Sequence, residues 1–173
     1  MPGVTVVVPL YNKGSYVDRA LLSILKQSYR DFEVIVVDDG STDDGPARAL
    51  RFADSRIRLV SRPNGGPGAA RNTGLAMAEG KFAAFLDADD EWLPCFLQAS
   101  VDFLCGIGRE CAMVTAGYYV YPDSATWNSC RRNYGLAQGV YRLDPKASIG
   151  LAVRLLASMS PCWSLARTGK IRQ

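Results

Sequence analysis

The sequence has 173 residues, and its 48% hydrophobic and 21% charged residues are typical of one globular domain, which excludes disorder and collagen-like repeats. A formal charge of +3 is too small to indicate nucleic-acid binding, and the excess of basic residues is confined to the segment after residue 110. Histidine is absent, which excludes serine–histidine and cysteine–histidine catalysis, so carboxylates must supply any acid, base or metal-binding chemistry.

The first predicted elements form a β-α-β unit. Residues 4–8 are a β-branched run that ends at Pro9, and residues 34–37 are a second apolar run that ends at an Asp-Asp pair. Continuous rather than alternating apolar residues are typical of strands that are covered on both faces. Between the two runs, apolar residues recur at helical spacing over 16–25, which predicts a crossover helix.

The same order of elements continues to about residue 105. The pattern predicts a helix over 47–53, a weaker strand over 58–61, an ordered loop over 62–68, a helix over 69–79 ended by Gly80 as a left-handed cap, a strand over 82–86 and a helix over 94–105. Alternating strands and helices with short connections predict an α/β fold with a mostly parallel central sheet flanked by helices.

The pattern is weaker after residue 110. It predicts strands over 112–121 and 162–166, a helix over 149–159 and a loop over 123–138. We therefore divide the chain into a core over residues 1–110 and an extension of the same domain over 111–173. A signal peptide and a membrane span are not expected, and five cysteines without a C-x-x-C pair favour a reducing, cytoplasmic location.

Polar side chains follow three of the strands that are predicted in the core. Tyr11 follows the first, Asp38 and Asp39 follow the second, and the acidic segment 87–90 follows the fourth. The carboxyl ends of parallel strands share one edge of a sheet, and ligands of such folds bind there. The sequence therefore predicts a ligand site at this edge.

The acidic segment offers oxygen ligands to a hard cation. Asp87, Asp89 and Asp90 stand within four residues, although a calcium-binding loop is excluded because its glycine and glutamate positions hold Trp92 and Gln98. Asp90 alternatively favours the start of the following helix. For Asp87 and Asp89 a cation is the favoured interpretation, because adjacent carboxylates repel each other without a counter-ion.

The other polar groups suit the parts of a nucleotide. Asp38 and Asp39 can accept hydrogen bonds from a nucleobase imide or a ribose, or else form a tight turn. The glycine-rich segment 64–72 offers backbone amides and Arg71 to phosphate oxygens. Tyr11 either stacks on a base or packs in the core.

Five motifs in this order resemble family 2 glycosyltransferases of the GT-A fold, over roughly residues 4–105. They are Val6-Val7-Val8-Pro9-Leu10-Tyr11-Asn12, Ser23-Ile24-Leu25-Lys26-Gln27-Ser28, Val36-Val37-Asp38-Asp39-Gly40-Ser41-Thr42-Asp43, Ala70-Arg71-Asn72-Thr73-Gly74-Leu75 and Phe85-Leu86-Asp87-Ala88-Asp89-Asp90. The resemblance implies a Rossmann-like core with an incomplete C-terminal acceptor part, a UDP-sugar donor, Mg²⁺ or Mn²⁺, and inversion at the anomeric carbon.

The resemblance also implies roles for residues at the predicted edge. Pro9 and Tyr11 line the base, Asp39 accepts from the uracil imide with support from Asp38, and Arg71 faces the base or the diphosphate. The implied sets are Pro9, Tyr11, Asp38, Asp39, Arg71 and Asp87 for the nucleotide sugar, and Asp89 and Asp87 for the metal.

No catalytic base is identified. Inversion needs a carboxylate that deprotonates the acceptor hydroxyl. Family 2 glycosyltransferases commonly place this carboxylate in an acidic pair well after the metal residues. Beyond residue 110 this chain has only two acidic residues, the isolated Asp123 and Asp144. We hypothesise a shortened transferase that binds donor and metal without the usual base.

The alternatives are a non-catalytic nucleotide-sugar-binding fragment and a nucleotidyltransferase. Residues 9–14 lack the glycine-rich loop that a nucleotidyltransferase needs.

The resemblance implies a cell-surface glycan or a lipid-linked molecule as the acceptor. The basic residues after residue 110 predict contact with an anionic membrane surface, and a solvated surface is the alternative. The expected location is then the cytoplasm, at the inner face of the membrane.

Overall fold

The computed structural model describes residues 1–106, 113–115 and 164–167. Strands and helices alternate through residues 1–106, as the sequence predicts. In chain order the elements are β1 (Val4–Leu10), α1 (Gly14–Leu25), β2 (Phe32–Asp38), α2 (Gly45–Leu50), β3 (Ile57–Ser61), α3 (Pro67–Ala76), β4 (Phe82–Phe85), α4 (Phe96–Gly106), β5 (Met113–Thr115) and β6 (Ser164–Arg167).

The described strands form one six-stranded sheet in the order β3-β2-β1-β4-β6-β5. The four strands of the core are parallel, whereas β6 runs antiparallel to both β4 and β5. The predicted α/β fold with a mostly parallel sheet is confirmed. In the register of the sheet, Leu10 lies opposite Asp38 and Asp38 opposite Ser61, so the carboxyl ends of β1, β2 and β3 are level.

The central strands are mostly apolar because helices cover both faces of the sheet. Val6, Val8 and Leu10 of β1 belong to the larger core cluster, together with apolar residues of α1 and α4. Val7 lies in the opposite, smaller cluster with Ala70 of α3. Full burial of one such side chain contributes roughly 1.5–3 kcal/mol, so the loss of either cluster would be costly.

Helix α3 contacts the sheet closely through a glycine. A Cβ atom on Gly74 would overlap the side chain of Val7 in β1. The helix begins at Pro67, after Gly66 in a left-handed conformation with φ of 85°, and ends at Ala76. The expectation that Gly80 ends this helix as a left-handed cap is wrong. Gly80 instead lies against the backbone of Thr5, whose hydroxyl accepts its amide hydrogen at 2.8 Å.

Two of the elements predicted after residue 110 have described counterparts. Strand β5 falls within the strand predicted over 112–121, and β6 overlaps the one predicted over 162–166. The loop predicted over 123–138 and the helix over 149–159 lie outside the described residues, and the division at residue 110 stays a prediction. In the part of the chain that the structure describes, every helix is too short or too polar to cross a membrane.

Candidate functional site

The loops after β1 and β2 are joined by hydrogen bonds. Asn12 has a left-handed backbone with φ of 51°, and its amide donates to Ser41 Oγ at 3.1 Å. Asn12 Oδ1 accepts from the amide of Thr42 at 2.8 Å, and Asp38 Oδ1 accepts from the amide of Ser41 at 2.9 Å. Asp38 therefore forms the turn that its alternative interpretation anticipated, and this turn fixes the end of β1 against the end of β2.

Asp43 connects the beginnings of two helices. Its Oδ2 accepts from the amide of Gly14, the first residue of α1, at 2.7 Å. Its Oδ1 accepts from the amide of Gly45, the first residue of α2, at 3.0 Å. The first amides of a helix have no partner within the helix and carry a partial positive charge, so a carboxylate stabilises both helix ends at once.

Asp39 is 2% exposed and holds the loop that leads into α3. The amide of Gly65 donates to both of its carboxylate oxygens at 3.1 Å, and the amide of Gly66 donates to Oδ2 at 2.7 Å. Arg62 Nε lies 3.2 Å from Oδ1 and supplies the opposite charge. In this structure the oxygens of Asp39 are thus engaged by the protein itself.

Arg71 extends from the second turn of α3 to the acidic segment after β4. Its guanidinium donates to Asp87 Oδ1 at 2.5 Å, and the two side chains are 15% and 30% exposed. This ion pair brings together two residues that the sequence assigns to the nucleotide-sugar site. It also leaves a basic and an acidic group next to each other at the carboxyl edge of the sheet.

Lys13 forms a second ion pair with the acidic segment. Its ammonium donates to Asp89 Oδ2 at 2.6 Å, and this hydrogen bond, together with the charge of Asp89, raises the pKa of Lys13 above its usual value of 10.5. Arg19 of α1 donates to the backbone carbonyl of Asp89 at 2.9 Å. The ring of Tyr16 lies 5.7 Å from the Lys13 ammonium and 5.9 Å from the Arg19 guanidinium.

The other predicted site residues lie at the same edge. Pro9 is the second-to-last residue of β1, opposite Val37 of β2, and Tyr11 follows β1 with 48% of its surface exposed. The exposure of Tyr11 argues against its alternative interpretation as a core residue. Sequence reasoning did not assign Lys13 or Asp43 to this edge. Lys13 pairs with Asp89, 76 residues away, and Asp43 with Gly14, 29 residues away, and no local pattern predicts these contacts.

Asp87 and Asp89 offer the kind of ligands that Mg²⁺ and Mn²⁺ take. Both are carboxylates at a strand end, and both are partly exposed. Within residues 1–106, 113–115 and 164–167 there is no group of three or more potential metal ligands. Such a donor set fits a cation that is held by one or two carboxylates and completed by water and substrate phosphates, rather than one enclosed by protein ligands alone.

A mostly parallel α/β sheet with acidic and basic side chains gathered at its carboxyl edge is typical of nucleotide-binding proteins. The sequence matches the description Glycosyl transferase family 2 over residues 5–157, and the chain belongs to this family.

A relative with a named activity supports the same assignment. The chain is 34% identical over 145 residues to the UDP-Glc:alpha-D-GlcNAc-diphosphoundecaprenol beta-1,3-glucosyltransferase WfgD of Escherichia coli, and this match covers 77% of the chain and 56% of WfgD. The chain thus spans little more than half the length of this relative.

Two solved structures share the fold. One is S. aureus TarS 1-349 in complex with UDP-GlcNAc, with a TM-score of 0.68 and 27% identity, covering 95% of this chain and 45% of that one. The other is mannosyltransferase PcManGT from Pyrobaculum calidifontis in complex with GDP-Man and Mn²⁺, with a TM-score of 0.63 and 30% identity, covering 73% and 38%. The GT-A class expected from the resemblance is confirmed.

Proposed function

We propose that this chain transfers a sugar from a nucleoside-diphosphate sugar, with UDP as the nucleotide, to a lipid-linked or glycan acceptor. Family membership supports the transfer reaction, and WfgD, whose name gives a UDP-sugar donor and a diphosphoundecaprenol acceptor, supports the two substrate classes. The family match favours this function over the nucleotidyltransferase alternative.

In the proposed complex, the donor lies along the carboxyl edge of the parallel strands. The exposed ring of Tyr11 stacks on the base beside Pro9. Arg71 is one helical turn from the start of α3, where its guanidinium can turn from Asp87 toward a diphosphate oxygen. Asp39 already accepts from the amides of Gly65 and Gly66, and the base imide takes a further acceptor position of this carboxylate.

We propose that Asp89 and Asp87 hold the divalent cation, Mg²⁺ or Mn²⁺, with the donor diphosphate. The Mn²⁺ in the PcManGT complex supports a metal of this kind. When bound, such an ion stabilises the negative charge that develops on the departing nucleoside diphosphate. The protein residues position the donor around it: Lys13 and Arg71 neutralise carboxylate or phosphate charge, and Asp38 and Asp39 order the two loops.

Inversion at the anomeric carbon is part of the proposal. It requires a base on the acceptor side of the sugar, and the two carboxylates that the sequence offers, Asp123 and Asp144, lie outside the described residues. A donor-binding module without transfer activity is the second candidate function, because the groups at the carboxyl edge suit donor and metal binding and none of them is assigned as the base.

The pair of carboxylates after β4, each held by a basic side chain from another element, is the observation that carries the proposal. Titration calorimetry with UDP-glucose, UDP-GlcNAc and GDP-mannose, with and without Mn²⁺, tests it. We expect one UDP-sugar to bind only when Mn²⁺ is present, and Asp89→Asn to lose this Mn²⁺-dependent binding.

The matched control is Asp102→Asn, which removes an exposed carboxylate on α4 that accepts from Gln98. This variant should bind as the unchanged chain does. A parallel assay of sugar transfer to a GlcNAc-diphospholipid separates the two candidates, since transfer supports the enzyme and binding without transfer supports the module. Metal-independent binding, or none, would contradict the proposed site.

A further inference from the structure

We propose that Lys13 is a resident counter-ion of Asp89 that leaves the carboxylate when the divalent cation binds, so that the cation is held weakly until the donor diphosphate arrives to receive the ammonium. This inference rests on the proposed function, because it assigns a regulatory role at the same metal site. It concerns a residue that neither the sequence motifs nor the family resemblance brought to this site.

The backbone around Lys13 is held firmly on both sides. Asn12, the preceding residue, is bound to Ser41 and Thr42, and Gly14, the following residue, donates to Asp43. The side chain itself is 43% exposed and its partner Asp89 is 40% exposed. A fixed anchor with a flexible, solvated side chain allows the ammonium to change partners without any rearrangement of the fold.

The ammonium occupies one of the acceptor positions that Asp89 could offer to a metal ion. It lies 2.6 Å from Asp89 Oδ2, and Asp87 also acts on it electrostatically. A divalent ion and an ammonium at the same oxygen would repel each other, so one must leave. The nearby diphosphate of a bound donor would be the natural new partner of the ammonium.

The neighbouring ion pair is different in kind. Arg71 is only 15% exposed, and its guanidinium is always charged and less strongly hydrated than an ammonium. Lys13 is therefore the more readily displaced of the two counter-ions, and Asp89 is the carboxylate at which this displacement regulates metal binding.

A purely structural ion pair would behave differently. Exposed ion pairs contribute only about 0–1 kcal/mol to folding, which is on the order of a fivefold effect at most. If Lys13 only supported the loop, its removal would lower stability slightly and leave metal affinity unchanged. If it competes with the cation, its removal must strengthen metal binding in the absence of nucleotide.

Electron paramagnetic resonance titration of the 173-residue chain with Mn²⁺, in the absence of nucleotide, measures this directly. We expect Lys13→Met to bind Mn²⁺ about fivefold more tightly than the unchanged chain, and Lys13→Arg to bind it about as weakly as the unchanged chain. On addition of UDP, the gain in Mn²⁺ affinity should be smaller for Lys13→Met, since its Asp89 is already free of the ammonium.

Lys81→Met is the matched control for the change in net charge. Lys81 precedes β4 at the opposite edge of the sheet, with its ammonium 5.4 Å from the ring of Phe82, and its loss should leave Mn²⁺ affinity unchanged. Equal or weaker Mn²⁺ binding by Lys13→Met, with binding still dependent on Asp89, would overturn the inference alone. Failure of Asp89→Asn to affect Mn²⁺ binding would overturn the proposed metal site and the inference with it.

Discussion

Asp39 is the most completely buried acid of the site, and its hydrogen bonds give it a structural role besides any contact with a base. The amides of Gly65 and Gly66 and the guanidinium of Arg62 all face its two oxygens. A carboxylate that accepts several backbone hydrogen bonds stabilises the loop that donates them. The loop between β3 and α3 is therefore ordered by a residue that the sequence assigns to nucleotide recognition.

We predict that Asp39→Asn releases this loop. The amide group of asparagine has one acceptor oxygen, and its NH₂ group would face the N–H donors of Gly65, Gly66 or Arg62. The variant should therefore lose about 1–3 kcal/mol of unfolding free energy. Urea unfolding measures this loss, and hydrogen exchange at Gly65 and Gly66 should become faster. Unchanged exchange of these two amides, in a variant that remains folded, would show that Asp39 does not hold the loop.

Asp54 and Arg56 form an ion pair just before β3. Arg56 donates to both oxygens of Asp54, at 3.0 and 2.8 Å, and these hydrogen bonds lower the pKa of Asp54 from 3.8 to about 2. Because the folded-state pKa is the lower one, the stabilisation is present above about pH 4 and is lost as the pH falls toward 2.

We expect the unchanged chain to exceed Asp54→Asn in unfolding free energy by about 0.5–1 kcal/mol near neutral pH, the range for a partly exposed ion pair. The difference should shrink between about pH 4 and pH 2. Urea unfolding of both proteins over this range provides the measurement, and a difference that does not depend on pH would refute the ionic explanation.

The polar residues at strand ends were predictable from the sequence, whereas their partners were not. Asp38, Asp39, Asp87 and Asp89 follow apolar runs, and this position is visible without a structure. The hydrogen bonds from Gly65 and Gly66 to Asp39 depend on how two loops meet. The sequence pattern within either loop does not predict this contact. Contacts between distant segments are set by the packing of the whole sheet.

At the scale of elements, the contact of α3 with β1 depends on the absence of a side chain. Gly74 faces Val7, and an added methyl group would overlap both of its γ carbons. The apolar residues of α3 and of the sheet that form the smaller core cluster can meet only because this approach is close.

We predict that Gly74→Ala destabilises the fold by about 1–3 kcal/mol, the usual cost of overpacking a core, despite the better helix propensity of alanine. Gly106→Ala is the control, because a Cβ atom there meets nothing within 4 Å. It should be neutral or slightly stabilising. Thermal or urea unfolding compares the two variants, and equal stabilities would contradict the packing argument.

Helix boundaries show where local patterns stop being informative. The helix expected over 47–53 is α2 at Gly45–Leu50, and the one expected over 69–79 is α3 at Pro67–Ala76. Proline, glycine and capping signals in the sequence located both helices. Their first residues are instead set by Asp43, which binds Gly45 from outside α2, and by the backbone of Gly66 before α3.

At the scale of the whole molecule, the parallel direction of the first four strands was predictable, and the arrangement beyond them was not. Alternating elements with short connections allow few topologies, which is why the β-α-β pattern sufficed. The strand predicted near residue 162 proved to be antiparallel and to lie between β4 and β5. Its position depends on a connection of about fifty residues after β5, whose length leaves many arrangements open.

The placement of β6 has a consequence for synthesis. Strand β4, which leads to the acidic segment, pairs with β1 on one side and with β6 on the other. Until the ribosome has released β6, the nascent chain presents an unpaired edge of Phe-Ala-Ala-Phe to its surroundings. Early termination before residue 164 would leave this edge open to other polypeptides, so we expect such fragments to aggregate because β6 is missing.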